Sequence, residues 1–285
     1  MIAAPRVKHF LITPFYVRRR FGAGEPNLAA TEWLDRRMVL FERYCLPSVL
    51  GQSHRDFEWL LYLDESTPDR HLRRLESLTG HASNVTILLC PLWEPSSIAR
   101  QLSARSSATT EWIITSRLDN DDALHRDFVR IVQGSAEERT EYLNFPQGVI
   151  LYDGKCFLYR HPSNAFISLV EPAAAPRTVW TTAHERASEV APVRQLWSTP
   201  SFLQVVHGGN VSNKPRGMRI PVKRAQQGFE AVPAMMTLPV RETAIGIAFE
   251  HLTRGTIWRL RDLLISMVKY VHRRWNKTRG SNSAV

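Results

Sequence analysis

Glu111-Trp112-Ile113-Ile114-Thr115-Ser116-Arg117-Leu118-Asp119-Asn120-Asp121-Asp122 is an apolar, strand-like run that delivers three carboxylates within four residues. Like charges held so close call for a cation. Oxygen-rich clusters suit Mg²⁺ or Mn²⁺, hard ions that commonly sit between one or two protein carboxylates and the phosphates of a substrate. The same residue types also gather at strand ends and turns, where Asn120 or Asp122 would cap a helix expected to start near Ala123. The segments upstream decide between these readings.

Val7 to Val17 is apolar and β-prone, interrupted by Pro14, and reads as a first buried strand before the basic loop Arg18-Arg19-Arg20. From Asn27 to Leu50, Trp33, Leu34, Met38, Leu40, Phe41, Tyr44, Cys45 and Val49 recur at helical intervals, with a late break expected at Pro47. Phe57 to Leu63 reads as a second strand running into Asp64, Asp69 to Leu78 as a helix, and Val85 to Cys90 as a third strand. Ser96 to Ser106 is helix-like, and Trp112 to Leu118 is the fourth strand. Strands alternating with helices imply right-handed crossovers and an α/β fold with a mostly parallel sheet and flanking helices. Ligands of such sheets bind beyond the carboxyl ends of the strands, where Asp64 and Asp119 to Asp122 fall. After Phe128 the pattern changes to strands at Tyr142 to Phe145, Val149 to Tyr152, Cys156 to Tyr159 and Phe202 to His207.

The composition, 285 residues with 44% hydrophobic and 22% charged, is that of a globular protein. Cys45, Cys90 and Cys156 are odd in number and widely spaced, which points to neither a disulfide framework nor a zinc site. Met1 to Phe10 lacks the pattern of a secretory signal and no apolar run is long enough to span a bilayer, so a cytoplasmic location is expected. The net charge of +10 is concentrated at one end: residues 251–285 hold eight Lys or Arg against Asp262 alone. A nucleic-acid binder would spread positive charge over its folded body, and nucleic acid is not the expected partner. Ile257, Leu260, Leu264, Met267, Val268, Val271 and Trp275 form an apolar stripe beside Arg261, Lys269, Arg273 and Arg274. This basic amphipathic C-terminal helix, residues 257–275, suits either the inner face of an anionic membrane, making the protein peripheral, or packing on the domain with a solvated basic face.

Leu46-Pro47-Ser48-Val49-Leu50-Gly51-Gln52-Ser53, Phe57-Glu58-Trp59-Leu60-Leu61-Tyr62-Leu63-Asp64-Glu65-Ser66 and the Arg117 to Asp122 cluster resemble glycosyltransferases with the A-type nucleotide-sugar-binding fold. His9-Phe10-Leu11-Ile12-Thr13, Thr115 to Leu124, Asn164-Ala165-Phe166 and His207-Gly208-Gly209-Asn210 resemble, more specifically, the family named putative rhamnosyltransferase. The resemblance extends over roughly residues 7 to 215. It implies a catalytic domain over residues 1–212, divided near residue 128 into a nucleotide-sugar-binding half and an acceptor half (129–212), with residues 213–285 forming a C-terminal loop and tail.

By that resemblance Thr13, Pro14 and Asp64 flank the base or ribose of a nucleoside diphosphate sugar. Asp119 contacts the ribose or a metal-bound water, Asp121 coordinates Mn²⁺ or Mg²⁺, and His207 meets the metal or the diphosphate, its other reading being a histidine satisfied in a strand-end turn. Arg117 adds a fixed positive charge at the diphosphate, its other reading being a partner that keeps the acidic cluster folded. An inverting transfer needs a carboxylate to take the proton of the acceptor hydroxyl. Glu171, which ends the apolar segment Ser168 to Val170, is the first choice, and Glu185, beside His184, the second. The implied activity is metal-dependent transfer of a sugar, with rhamnose from dTDP-rhamnose leading, to a glycan or lipid-linked acceptor. The alternatives are a nucleotidyltransferase on a related fold, or a non-catalytic protein that binds membranes or polyanions through its tail.

Overall fold

The computed structural model describes residues 6–18, 29–207, 216–239 and 246–247. Strand β1 (Val7–Tyr16) leads to helix α1 (Ala29–Leu40), a π-helical turn (Phe41–Cys45) and α2 (Leu46–Leu50). Then come β2 (Glu58–Asp64), α3 (Asp69–Thr79), β3 (Val85–Cys90), α4 (Pro95–Arg105) and β4 (Trp112–Arg117). The expected break at Pro47 takes the form of the π-helical turn just before it. Leu46 N–H bonds to Phe41 O, five residues back, and this widening eases the crowding a proline ring causes against the preceding turn.

Strands β4, β1, β2 and β3 lie side by side in parallel, as the alternation of strands and helices predicts. Side chains alternate across this sheet. Leu11, Phe15, Leu61, Leu63 and Ile114 are buried beneath α1, α2, α3 and α5 (Phe128–Ser135). Phe10, Ile12, Leu60, Tyr62 and Ile113 are buried on the other face, with Ile98 and Leu102 of α4.

Beyond β4 the chain departs from a simple parallel pattern. The helix expected near Ala123 starts only at Phe128, because Ala123–Leu124 is a short strand, β5. Its residues are claimed by tertiary partners: they pair with Leu203 and Phe202, and Leu124 N–H donates to Ser48 Oγ at 3.2 Å. The remaining elements are β6 (Glu141–Asn144), β7 (Gln147–Tyr152), β8 (Lys155–Arg160), β9 (Ile167–Pro172), a 3₁₀ turn (His184–Glu189), β10 (Val193–Gln195) and β11 (Phe202–Val206). Strand β9 runs antiparallel between β4 and β6, and β10 closes that edge of a seven-stranded sheet.

A second sheet of five strands has the order β12-β8-β7-β11-β5, where β12 is Met218–Ile220. Val222 and Ala225 of α6 (Val222–Ala225) and Met235 of α7 (Pro233–Met236) share its core with Val149 and Leu203, so residues past 212 pack on this body. Gly228 has φ +82°, and a Cβ there would run into the His125 ring, so the turn before α7 admits only glycine. Residues 257–275 lie outside the described residues.

Candidate active site

The chain leaves β4 at Arg117 and enters the second sheet at β5, so the acidic cluster sits at the seam between the two sheets. Three side chains, one from α2 and two from the residues shortly after it, set its backbone. Ser48 Oγ accepts from Leu124 N–H, Gln52 Nε2 donates to His125 O at 2.9 Å, and Gln52 Oε1 accepts from Val129 N–H at 3.0 Å. Ser53 Oγ adds a bond to Asp127 at 2.7 Å. The Leu46 to Ser53 segment thus acts as a clamp on residues 124–129, a role its sequence does not announce.

Each carboxylate of the cluster is engaged differently. Asp122 is buried and accepts the Val205 N–H of β11 at 2.8 Å. Burial, followed by the charges of Asp121 and Asp119, pushes its pKa well above the ordinary value, and its bond to Val205 ties the two sheets together. Asp121 is also buried, which by itself raises its pKa. The hydrogen bond from His207 Nε2 at 2.9 Å and the charge of Arg37 outweigh that, so it stays ionised. Arg37 of α1 contacts the same Oδ2 in a close ion pair. Asp119 is the most open of the three and pairs with Arg117 Nη2 at 3.1 Å.

Arg117 is held over the Trp180 ring, 4.2 Å from its centroid, and Trp180 meets Trp93 edge-on at 5.3 Å. Trp93 lines a groove of about 890 Å³ between α4 and the Ala174–Thr181 segment. His184 lies close enough to Arg117 and Asp119 for their charges to act on it. Burial, then Arg117, hold its pKa below the ordinary histidine range. Its Nδ1 donates to Ser163 O at 2.7 Å, which leaves Nε2 as the basic nitrogen.

The other expected positions divide. Asp64 ends β2 on the same side of the sheet as the cluster. Its Oδ1 accepts from Ser66, whereas Oδ2 is buried without a hydrogen bond among the described residues, 3.5 Å from Arg18 Nε. Pro14 is partly exposed on β1 opposite Tyr62. Thr13 is fully buried and its hydroxyl is used by Trp59 Nε1 at 3.0 Å.

Glu171 does not join the others. It pairs with Ile113, near the start of β4 and four residues before Arg117, and its two oxygens accept the N–H groups of Arg177 and Thr178 at 2.8 and 2.7 Å. The first choice of Glu171 as the base is not matched by its position: β9 runs antiparallel to β4 and carries this residue to the far end of the sheet from the cluster. Arg37 and His184, in contrast, were absent from the sequence-based set. Arg37 belongs to no motif, and the only trace of His184 was its place beside Glu185, which it meets at 3.2 Å.

Residues 22–219, well over half of the chain, match the family described as putative rhamnosyl transferase. The chain belongs to that family. The rhamnosyl transferase assignment agrees with the resemblance read from the motifs. No curated protein matches the chain. Among solved structures, S. aureus TarS 1–349 in complex with UDP-GlcNAc is 11% identical over 84% of this chain and 69% of that chain, with a TM-score of 0.45. S. aureus TarS 1–349 is 12% identical, spans 70% of this chain but only 60% of that one, and has a TM-score of 0.42. The inositol-1-phosphate CTP transferase from T. maritima is 10% identical over 82% and 98%, with a TM-score of 0.40. Likeness this distant says nothing about a substrate.

For a member of the rhamnosyl transferase family the question of a cation turns on the donor set. Among the described residues no group of three or more His, Cys, Asp or Glu side chains is arranged to hold a metal ion. Mg²⁺ and Mn²⁺ do not require one, since one or two protein donors commonly suffice when phosphates and water complete the shell. Asp121 and His207, with donor atoms 2.9 Å apart, are the pair that would supply such donors, on an oxygen that Arg37 also contacts.

Proposed function

We propose that this chain transfers a sugar from a nucleoside diphosphate donor to a hydroxyl of a glycan or lipid-linked acceptor, with a divalent cation at Asp121 and His207. The observation that carries the reading is the convergence, at one end of the parallel strands, of a buried carboxylate oxygen on Asp64, the Arg117–Asp119 pair and the Asp121–His207 pair. A donor diphosphate is large and anionic, and this arrangement would supply separate partners for its base or ribose, its phosphates and a divalent ion.

In this reading Pro14 flanks the base, Asp64 Oδ2 accepts from base or ribose, and Asp119 accepts from a ribose hydroxyl or a metal-bound water. Mg²⁺ or Mn²⁺, when bound, supplies Lewis-acid stabilisation of the departing diphosphate. Arg117, fixed by Trp180, presents a permanent positive charge on the same side. His184 Nε2 takes the proton of the attacking acceptor hydroxyl, a task that its lowered pKa serves by keeping the ring neutral. Rhamnose from dTDP-rhamnose is the first donor to test, on the strength of the family description.

Calorimetric titration of dTDP, UDP and GDP, with and without Mn²⁺, tests this. Binding of one nucleoside diphosphate that needs both Mn²⁺ and the Asp121 carboxylate is the expected result. Binding confined to a nucleoside triphosphate would instead favour a nucleotidyltransferase, and a folded protein that binds no nucleotide would reject the reading. No helix among the described residues is long and apolar enough to cross a membrane. Cytoplasmic placement, with the basic segment 257–275 resting on an anionic membrane surface, is part of the same proposal. Co-sedimentation with anionic vesicles, lost on deletion of residues 251–285, tests it.

A further inference from the structure

Arg37 reaches the acidic cluster from α1, outside every motif the sequence displays. Its guanidinium meets Asp121 Oδ2 in a close ion pair, donates to Asn120 Oδ1 at 3.2 Å, and lies 4.9 Å from the centroid of the Trp33 ring. The side chain is 14% exposed, so it is held in place and not merely drawn to the carboxylate from solvent. The π-helical turn follows within a turn of helix, at Phe41–Cys45. Such turns shift the face of a helix and recur at functional sites. Asn120 is fixed in its own right by a bond from its Nδ2 to Phe15 O at 2.8 Å, so the seat for Arg37 is built from both sides.

We infer that Arg37 is the resident counter-ion of the donor site, that it competes with a divalent cation for Asp121 Oδ2, and that it thereby couples cation binding to donor binding. The inference rests on the reading of Asp121 and His207 as the cation-holding pair. Oδ2 already accepts from both Arg37 and His207, so a cation can take this oxygen only as the guanidinium gives it up. A displaced guanidinium needs a new anion close by. The phosphates of the donor provide one, and the planar fork of an arginine suits their oxygens. Cation alone must therefore expel a buried charge, and nucleotide alone must leave Asp121 engaged, whereas the two together satisfy every charge. By linkage each raises the other's affinity.

Mn²⁺ binding, followed by the electron paramagnetic resonance of the free ion with and without dTDP or UDP, tests this on wild type, Arg37→Met and Arg37→Lys. Removing a unit charge a few ångströms from a doubly charged ion should tighten nucleotide-free Mn²⁺ binding about tenfold or more in Arg37→Met. Arg37→Lys, which keeps the charge, should stay close to wild type. The nucleotide should strengthen Mn²⁺ binding in wild type by a larger factor than in Arg37→Met. A folded Arg37→Met protein with unchanged or weaker nucleotide-free Mn²⁺ affinity overturns the competition; Arg37→Gln takes its place if the methionine variant does not melt cooperatively. Asp121→Asn, run in parallel, separates the two levels. If Mn²⁺ binding survives that change, the cation site is elsewhere and the reading beneath the inference fails with it.

Discussion

His207 Nε2 lies 2.9 Å from Asp121 Oδ2, although 86 residues separate the two in sequence. The contact depends on β11 pairing with β5, which carries the residue after Val206 back to the exit of β4. Asp121→Asn keeps the shape but removes the charge that Arg37 and His207 share. Turnover should fall at least about a hundredfold if this group organises the transition state. Thermal denaturation should also show a lower melting temperature, because the buried Arg37 loses its partner.

His184→Gln addresses proton transfer. Replacing a general base typically costs 10²–10⁴ in rate, so kcat should drop by about that range while donor KM moves little. The sign of the pH effect follows from the lowered pKa of His184. The active form is the neutral ring, so the wild-type rate holds as pH falls through the ordinary histidine range and declines only below it. A pH profile of kcat/KM that is identical in the variant would remove His184 from this role.

Glu171→Gln is expected to behave differently. One of the two N–H donors of Arg177 and Thr178 loses its acceptor, a buried defect worth about 1–3 kcal/mol. Activity of the folded protein should change less than about tenfold, far below the loss typical of a missing base. Chemical denaturation and steady-state assays on the same preparation check both halves.

Gln52→Ala breaks the clamp behind the site. Three buried hydrogen bonds disappear, to Ser48 O, His125 O and Val129 N–H, and two carbonyls and one amide are left to find other partners. A loss of about 2–4 kcal/mol is expected, read as a shift in denaturation midpoint. Hydrogen exchange should quicken at Val129.

His9 gives the fold a dependence on acid. Burial first, and the charge of His54 second, lower its pKa to about 3, and its ring bonds to Ser116 Oγ at 2.8 Å in a buried chain that continues to Ser168. The folded state holds the ring neutral while the unfolded chain protonates it near pH ~6.5. Stability from this group is therefore complete above that pH and is lost as pH falls towards 3. Between about pH 4 and about pH 6 the unfolding free energy of His9→Asn should fall less steeply than that of wild type, by about 1.4 kcal/mol per pH unit. Equal slopes would show that His9 does not remain neutral.

Local pattern was enough for the parallel half of this protein. The apolar runs at Val7, Phe57, Val85 and Trp112 and the helical spacing between them specify four strands, their order of appearance and the end of the sheet at which Asp64 and Asp119 to Asp122 emerge. Periodicity reports which side of an element is buried, and that is a local property. The seam was not legible in this way. Ala123 and Leu124 read as a helix start and became a strand through partners at Ser48 and Leu203, and Glu171 went to the far end of the sheet because β9 runs antiparallel. Arg37 carries no local mark at all; its place against Asp121 arises where a helix and a strand end, 84 residues apart, are packed across the sheet. Sequence determined which residues hold the charges and which elements present them. Only the tertiary structure decided which charges meet, since an ion pair depends on distances of a few ångströms that chain pattern does not encode.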